Sequence, residues 1–90
     1  MLRILRKADK GFVIFTLSGR IANENLEELQ KLFREELVER RLVLDLKEVK
    51  LVDRDSIKFL ARYENNGVRL DNCPAFIREW IMKEGEPKQS

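Results

Sequence analysis

Apolar and polar residues alternate through most of the first twenty positions, with one polar break at Asp9-Lys10-Gly11. Because successive side chains of a strand point to opposite faces, this alternation predicts two strands that each bury one face. The break supplies residues that favour a tight turn. The chain therefore predicts an opening β-hairpin. The apolar positions that carry the pattern are Leu2, Ile4, Val13, Phe15 and Leu17.

After Ser18-Gly19 the apolar spacing changes from two residues to three and four, which is the spacing of one helix face. Asn23 is a favourable N-cap residue, and the first turn after it is acidic, as the positive end of a helix dipole favours. We therefore expect a helix from about Glu24 to Glu39. Its apolar stripe consists of Leu26, Leu29, Leu32, Phe33 and Leu37.

The run Leu42–Leu46 is nearly all apolar, which is typical of a central strand that is covered on both faces. Asp53 then caps a second amphipathic helix that ends near Asn65-Asn66-Gly67. The inward positions of that helix are predicted to be Ile57, Leu60, Ala61 and Tyr63.

Val68 to Cys73 predicts a short last strand, and Pro74 in a first helical position opens a last helix. In this helix Phe76, Ile77, Trp80 and Ile81 are expected to face inward. The element order β-β-α-β-α-β-α predicts an α/β fold with a small mixed sheet of four to five strands and three helices. We expect one domain over residues 1–82 and a flexible tail over residues 83–90.

The composition of the chain limits the classes of function that we expect. The 90 residues carry a net charge of +2, spread as alternating signs, so a nucleic-acid partner is not expected. Cys73 is the one cysteine, which fits a reducing compartment, and no stretch of about 20 apolar residues predicts membrane insertion. We expect a cytoplasmic protein. Histidine is absent, which removes the commonest general base, so neither catalysis nor a cofactor is expected.

Three segments in order carry a family resemblance: Leu17–Ile21, Leu42–Leu46 with the turn at 53–56, and Asn72-Cys73-Pro74. Together they resemble the STAS domain of sulfate transporters and bacterial anti-sigma factor antagonists. In that family the turn reads Asp-Ser-Ser-Gly or Asp-Ser-Thr-Gly, and its second hydroxyl residue is phosphorylated. Here the turn is Asp53-Arg54-Asp55-Ser56, so the resemblance puts Asp55 at the phospho-acceptor position.

The resemblance implies a surface for partner binding around this turn. An acid in the first turn of a helix is favoured by about 0.3 to 1 kcal/mol, so Asp55 either only improves helix electrostatics or also holds a fixed charge where relatives add phosphate. Asp53 serves as a cap with or without a binding role. Arg54 is either a solvated arginine or a partner contact, and Ser56 either makes a local hydrogen bond or receives phosphate in a shifted register. The expected partner-binding residues are Arg20, Asn23, Asp45, Asp53, Arg54, Asp55 and Ser56, with Asp45 placed near a strand end.

The favoured function is a non-enzymatic module of bacterial partner switching and signal transduction, bound by a kinase-like anti-sigma factor or a sensor protein. By resemblance, the unmodified form binds the kinase and the phosphorylated form releases it. One alternative is the STAS subunit that binds the ATPase of a phospholipid-trafficking ABC transporter. A weaker alternative uses Asp45, Asp53 and Asp55 for magnesium-dependent phosphotransfer. Because charges at Arg3, Arg6 and Lys7 protect the edge of the hairpin, a monomer is favoured over a homodimer.

Overall fold

The predicted hairpin forms the start of a four-stranded sheet. β1 (Leu2–Asp9) pairs antiparallel with β2 (Phe12–Ile21), and Gly11 between them has a φ of 75°. The computed structural model describes residues 1–84, and its remaining elements are α1 (Asn23–Leu37), β3 (Arg41–Val52), α2 (Arg54–Asn65), β4 (Arg69–Asp71) and α3 (Ala75–Glu84). The strand order is β1-β2-β3-β4, with β3 parallel to both of its neighbours. The predicted mixed sheet and element order are confirmed.

β3 is longer than the apolar run that predicted it, because it continues from Leu46 to Val52. Two register shifts against β2, between Thr16 and Ser18 and between Gly19 and Arg20, each place an extra residue on β3. Such bulges interrupt the alternation of side chains, which explains why the pattern did not predict this half of the strand. The extension carries β3 to the same edge of the sheet as the end of β2.

One face of the sheet carries the core, and the helices of the described chain pack on it. Alternate residues of β2 and β3 point into this core together with Leu29 and Phe33 of α1, and with residues of α2 and α3. The prediction that β3 is covered on both faces holds in part, because the helices lie on one face only and Asp45 on the other face is half-buried. Val43, on the opposite face, is only 1% exposed although it does not belong to the helix-side core.

Several helix residues differ from the prediction in whether they are buried or exposed. Phe59, which the predicted stripe omitted, is buried, and the centroids of the Phe59 and Tyr63 rings are 4.7 Å apart. Phe76 was expected to face inward but is 44% exposed. Lys83 and Glu84, assigned to the tail, continue α3, whereas the rest of the predicted tail, residues 85–90, lies outside the described residues.

Candidate functional site

The starts of α1 and α2 lie side by side at one edge of the sheet. β2 and β3 are parallel neighbours, and their last residues, Ile21 and Val52, are directly paired. Each strand leads within one or two residues into a helix. The Asp53 N–H donates to the Ile21 carbonyl at 3.3 Å, which joins the two strand-to-helix turns. The edge thereby brings together two helix N-termini with their unpaired N–H groups.

Asp53 binds both helix starts with one carboxylate. Its Oδ1 accepts hydrogen bonds from the Ser56 N–H at 2.8 Å and from the Ser56 hydroxyl at 2.6 Å. Its Oδ2 accepts from the N–H of Asn23 at 2.7 Å. The predicted cap of α2 is therefore confirmed, and the same side chain also serves α1.

These contacts lower the pKa of Asp53. Partial burial raises the pKa, since it disfavours the charged form, but three hydrogen bonds outweigh that effect. They come from the hydroxyl and amide of Ser56 and from the amide of Asn23, and the nearby positive charge of Arg20 adds to them. Asp53 is thus held as an anion at the junction of the two helices.

Ser56 is fully buried, with 0% of its surface exposed. Its hydroxyl lies 2.6 Å from Asp53 Oδ1 and 3.0 Å from the Ile21 carbonyl oxygen, which are both acceptors. The shorter contact is a charge-assisted hydrogen bond. A phosphoryl donor has no access to this oxygen in the folded chain, so the local-bond interpretation of Ser56 describes the geometry.

Asn23 and Asp55 form the exposed part of the site. The Asn23 side-chain amide donates to Asp55 Oδ2 at 2.7 Å, across 32 positions of the chain. The prediction that Asn23 is the N-cap of α1 is wrong, because Ala22 occupies that position. Alanine has no side-chain acceptor, so this end is capped by the bond from the Ala22 N–H to Asn25 Oδ1, at 2.9 Å, and by Asp53, which accepts from the Asn23 N–H. Asn23 is thereby free to bind α2 instead.

The two arginines expected in the site lie in different surroundings. Arg20 is exposed and contributes its positive charge to the field around Asp53. Arg54 faces the end of α3, where its Nε lies 3.5 Å from Glu84 Oε2. The Arg54 side chain is 63% exposed, so this contact leaves it available to solvent.

Asp45 is not joined to the turn. It lies inside β3, not near the end of the strand, and pairs with Asp71 at the end of β4. Its Oδ1 accepts from the Lys47 N–H at 3.1 Å and from the Asn72 side-chain amide at 3.2 Å. Within residues 1–84 there is no group of three or more acidic or cysteine side chains placed to hold a metal ion. The three-aspartate arrangement of the magnesium alternative is therefore not formed.

A groove of about 610 Å³ runs from Asn23 and Asp55 between α1 and α2. Glu27 lines it on α1, and Lys58 and Arg62 line it on α2. Glu27, Lys58 and Arg62 are not among the site residues expected from the sequence. Their spacing was the available signal, since Asp55, Lys58 and Arg62 recur at three and four positions and so share one helix face.

The fold of this chain is that of STAS domains. Solved structures with a similar fold include the unphosphorylated form of the anti-sigma factor antagonist SpoIIAA, at a TM-score of 0.72 and 9% identity over 91% of this chain and 82% of that one. An anti-sigma factor antagonist from Mycobacterium paratuberculosis has a TM-score of 0.69 at 23% identity, over 93% of this chain and 79% of that one. At these identities the likeness shows the fold.

A STAS domain from Rhodobacter sphaeroides, described as an antisigma-factor antagonist, has a TM-score of 0.61 and 18% identity. It aligns over 79% of this chain and 86% of its own. No family model matches the sequence, and no curated protein matches it. Among residues 1–84, no helix has the length and apolar character needed to cross a membrane.

Proposed function

We propose that this chain is a non-enzymatic protein-interaction module that docks a kinase-like anti-sigma factor or a sensor protein. The docking surface consists of Asp53, Arg54 and Asp55 of the turn and the adjacent residues Arg20 and Asn23, while buried Ser56 supports the turn from within. The observation that carries the proposal is the Asn23–Asp55 hydrogen bond of 2.7 Å, because it fixes an exposed carboxylate at the junction of two helix starts. The fold shared with anti-sigma factor antagonists supports the choice of partner.

In this proposal Asp55 supplies a permanent single negative charge where related domains acquire about two charges by phosphorylation. Ser56 does not take over as acceptor, because its hydroxyl is buried against Asp53 and Ile21. The partner therefore meets one constant charge state. Regulation is therefore expected to act on the partner or on the amount of this chain.

The test measures binding of the full chain to purified kinase-like anti-sigma factors encoded by the source genome. Wild type is compared with Asp55→Ser and Asp55→Asn by biolayer interferometry. Removing a charge at an interface changes affinity and its salt dependence, and we expect a change of about tenfold in Kd. If Asp55 mimics phosphate, Asp55→Ser binds more tightly than wild type.

Glu79→Gln is the matched control, since Glu79 is also an exposed helical carboxylate but lies on α3. It should bind like wild type. A panel of kinases that binds wild type, Asp55→Ser and Asp55→Asn with equal affinity would exclude Asp55 from the docking surface.

A further inference from the structure

β1 is an edge strand with an unused row of backbone groups. It lies at one end of the sheet order and spans eight residues, Leu2–Asp9. The Arg20 N–H donates to the Met1 carbonyl at 3.2 Å, which identifies one hydrogen-bonded pair of the antiparallel ladder. Because such pairs alternate along the ladder, the N–H and C=O groups of Leu2, Ile4, Arg6 and Ala8 point away from β2. No described residue of the chain pairs with them.

The helices cover one face of the sheet, and the side chains of β1 that point to the other face are exposed. Leu5 is 69% exposed although it lies in the middle of the strand. Arg3 and Lys7 are also exposed and share its face, since they lie two positions away on either side. The edge therefore presents one apolar residue between two cations.

Arg6 leaves the edge accessible. Its side chain turns to the helix side, where it contacts Glu36 of α1 through two hydrogen bonds, of 2.6 and 3.1 Å.

Pairing with a second copy of β1 is unfavourable in the antiparallel register that matches Leu2–Ala8 fully. That register sets Leu5 opposite Leu5 and Arg3 opposite Lys7, and like charges directly opposite each other are destabilising.

We infer that the outer edge of β1 binds an extended, acidic segment of another protein, which adds antiparallel to the sheet as a fifth strand. Backbone pairing with Ile4 and Arg6 holds the segment, while an apolar side chain covers Leu5 and flanking acids face Arg3 and Lys7. This surface is separate from the turn around Asp55. It therefore offers a second contact that does not depend on the proposed docking site.

The test uses ¹⁵N-labelled full chain and a capped peptide with the core Glu-Thr-Val-Thr-Glu, in which the glutamates and valine share one face. Saturable amide shifts are expected in β1 and not around Asp55. A peptide with lysine in place of both glutamates should bind roughly tenfold more weakly, because two attractive cross-strand pairs become repulsive. The double variant Arg3→Glu, Lys7→Glu should reverse the preference between the two peptides.

Backbone pairing is tested by N-methylation of the peptide. With valine opposite Leu5, the two threonine amides face β1, so methylating both should abolish binding. Methylating the valine amide, which faces solvent, is the matched control and should leave binding intact. The inference is overturned by equal binding of the acidic and basic peptides, by insensitivity to threonine methylation, or by an absence of shifts in β1. It is also overturned if β1 shifts depend on protein concentration alone, since the occupant would then be a second copy.

Discussion

At the scale of single residues, Asp53 links the starts of two helices, and its bond to Asn23 spans 30 positions of the chain. A helix start leaves four N–H groups without partners inside the helix. Asp53 accepts one of these from each helix, through Ser56 and Asn23, and also binds the Ser56 hydroxyl. Its carboxylate therefore contributes to tertiary structure as well as to local capping.

Replacing Asp53 by alanine should lower the free energy of unfolding by about 2 kcal/mol, at the upper end for loss of a cap, because the buried Ser56 hydroxyl also loses its charged partner. Urea denaturation monitored by circular dichroism measures the loss. Asp55→Ala is the control, since Asp55 is exposed and its side chain accepts a hydrogen bond from Asn23. This substitution should lower the free energy of unfolding by about 0.5 kcal/mol. Equal losses in the two variants would contradict the bridging role of Asp53.

The lowered pKa of Asp53 makes its contribution depend on pH. A carboxylate whose folded pKa lies below its unfolded value stabilises the fold fully above the unfolded pKa, which is about 4. The contribution is lost as pH falls from there through the folded pKa. The stability difference between wild type and Asp53→Asn should therefore be constant from pH 7 to about pH 5 and shrink below pH 4. A difference that grows on acidification would show that the pKa is raised.

At the scale of elements, Gly19 allows the end of β2 to lie close to the start of the chain at Met1. Its φ is 92°, and a Cβ there would collide with the Met1 carbonyl oxygen. The neighbouring Arg20 N–H binds that same carbonyl. Both the backbone conformation and the close approach therefore require glycine in β2.

Gly19→Ala should destabilise the protein by about 2 to 3 kcal/mol, since positive φ alone costs about 1 kcal/mol and the collision adds to it. Gly11→Ala is the matched control, because Gly11 also has a positive φ but has open space where a Cβ would lie. It should cost only about 1 kcal/mol. Thermal unfolding of both variants measures the difference, and equal shifts in Tm would show that Met1 moves aside without cost.

The boundaries of the helices and strands show which local sequence signals were sufficient to predict where an element begins or ends. The hairpin and α2 were predicted because turn residues and the Asp53 cap act over a few positions, with Gly67 ending the helix at a φ of 98°. The start of α1 was misassigned by one residue because Asn23 bonds to α2 instead of capping its own helix. A partner 30 positions away leaves no local pattern.

At the scale of the whole molecule, Phe33 connects the layers of the core. The centroid of its ring lies 5.3 Å from the ring centroid of Phe15 in β2. The corresponding distances to Phe59 and Tyr63 of α2 are 6.0 Å and 5.4 Å. Phe33 is itself fully buried. Aromatic pairs at such distances add to the free energy of burial.

Phe33→Ala should cost about 3 to 5 kcal/mol, a large part of the roughly 5 to 13 kcal/mol expected for a domain of this size. Phe76→Ala is the control, since Phe76 is 44% exposed, and it should cost about 1 kcal/mol or less. Chemical denaturation of the two variants makes the comparison. A small loss for Phe33→Ala would mean that the core collapses to fill the space.

The sequence by itself determined the order of the elements, the hairpin, the amphipathic helices and the acidic turn at 53–56, because each depends on spacing or capping within one turn or one strand pair. Only the tertiary structure decided which of the expected site residues meet. It joined Asn23 to Asp53 and Asp55, buried Ser56 and kept Asp45 with Asn72 at another strand end. The two bulges in β3 bring Val52 opposite Ile21 and so place the two helix starts side by side, and they follow from pairing with β2 along the whole strand, which no local pattern specifies.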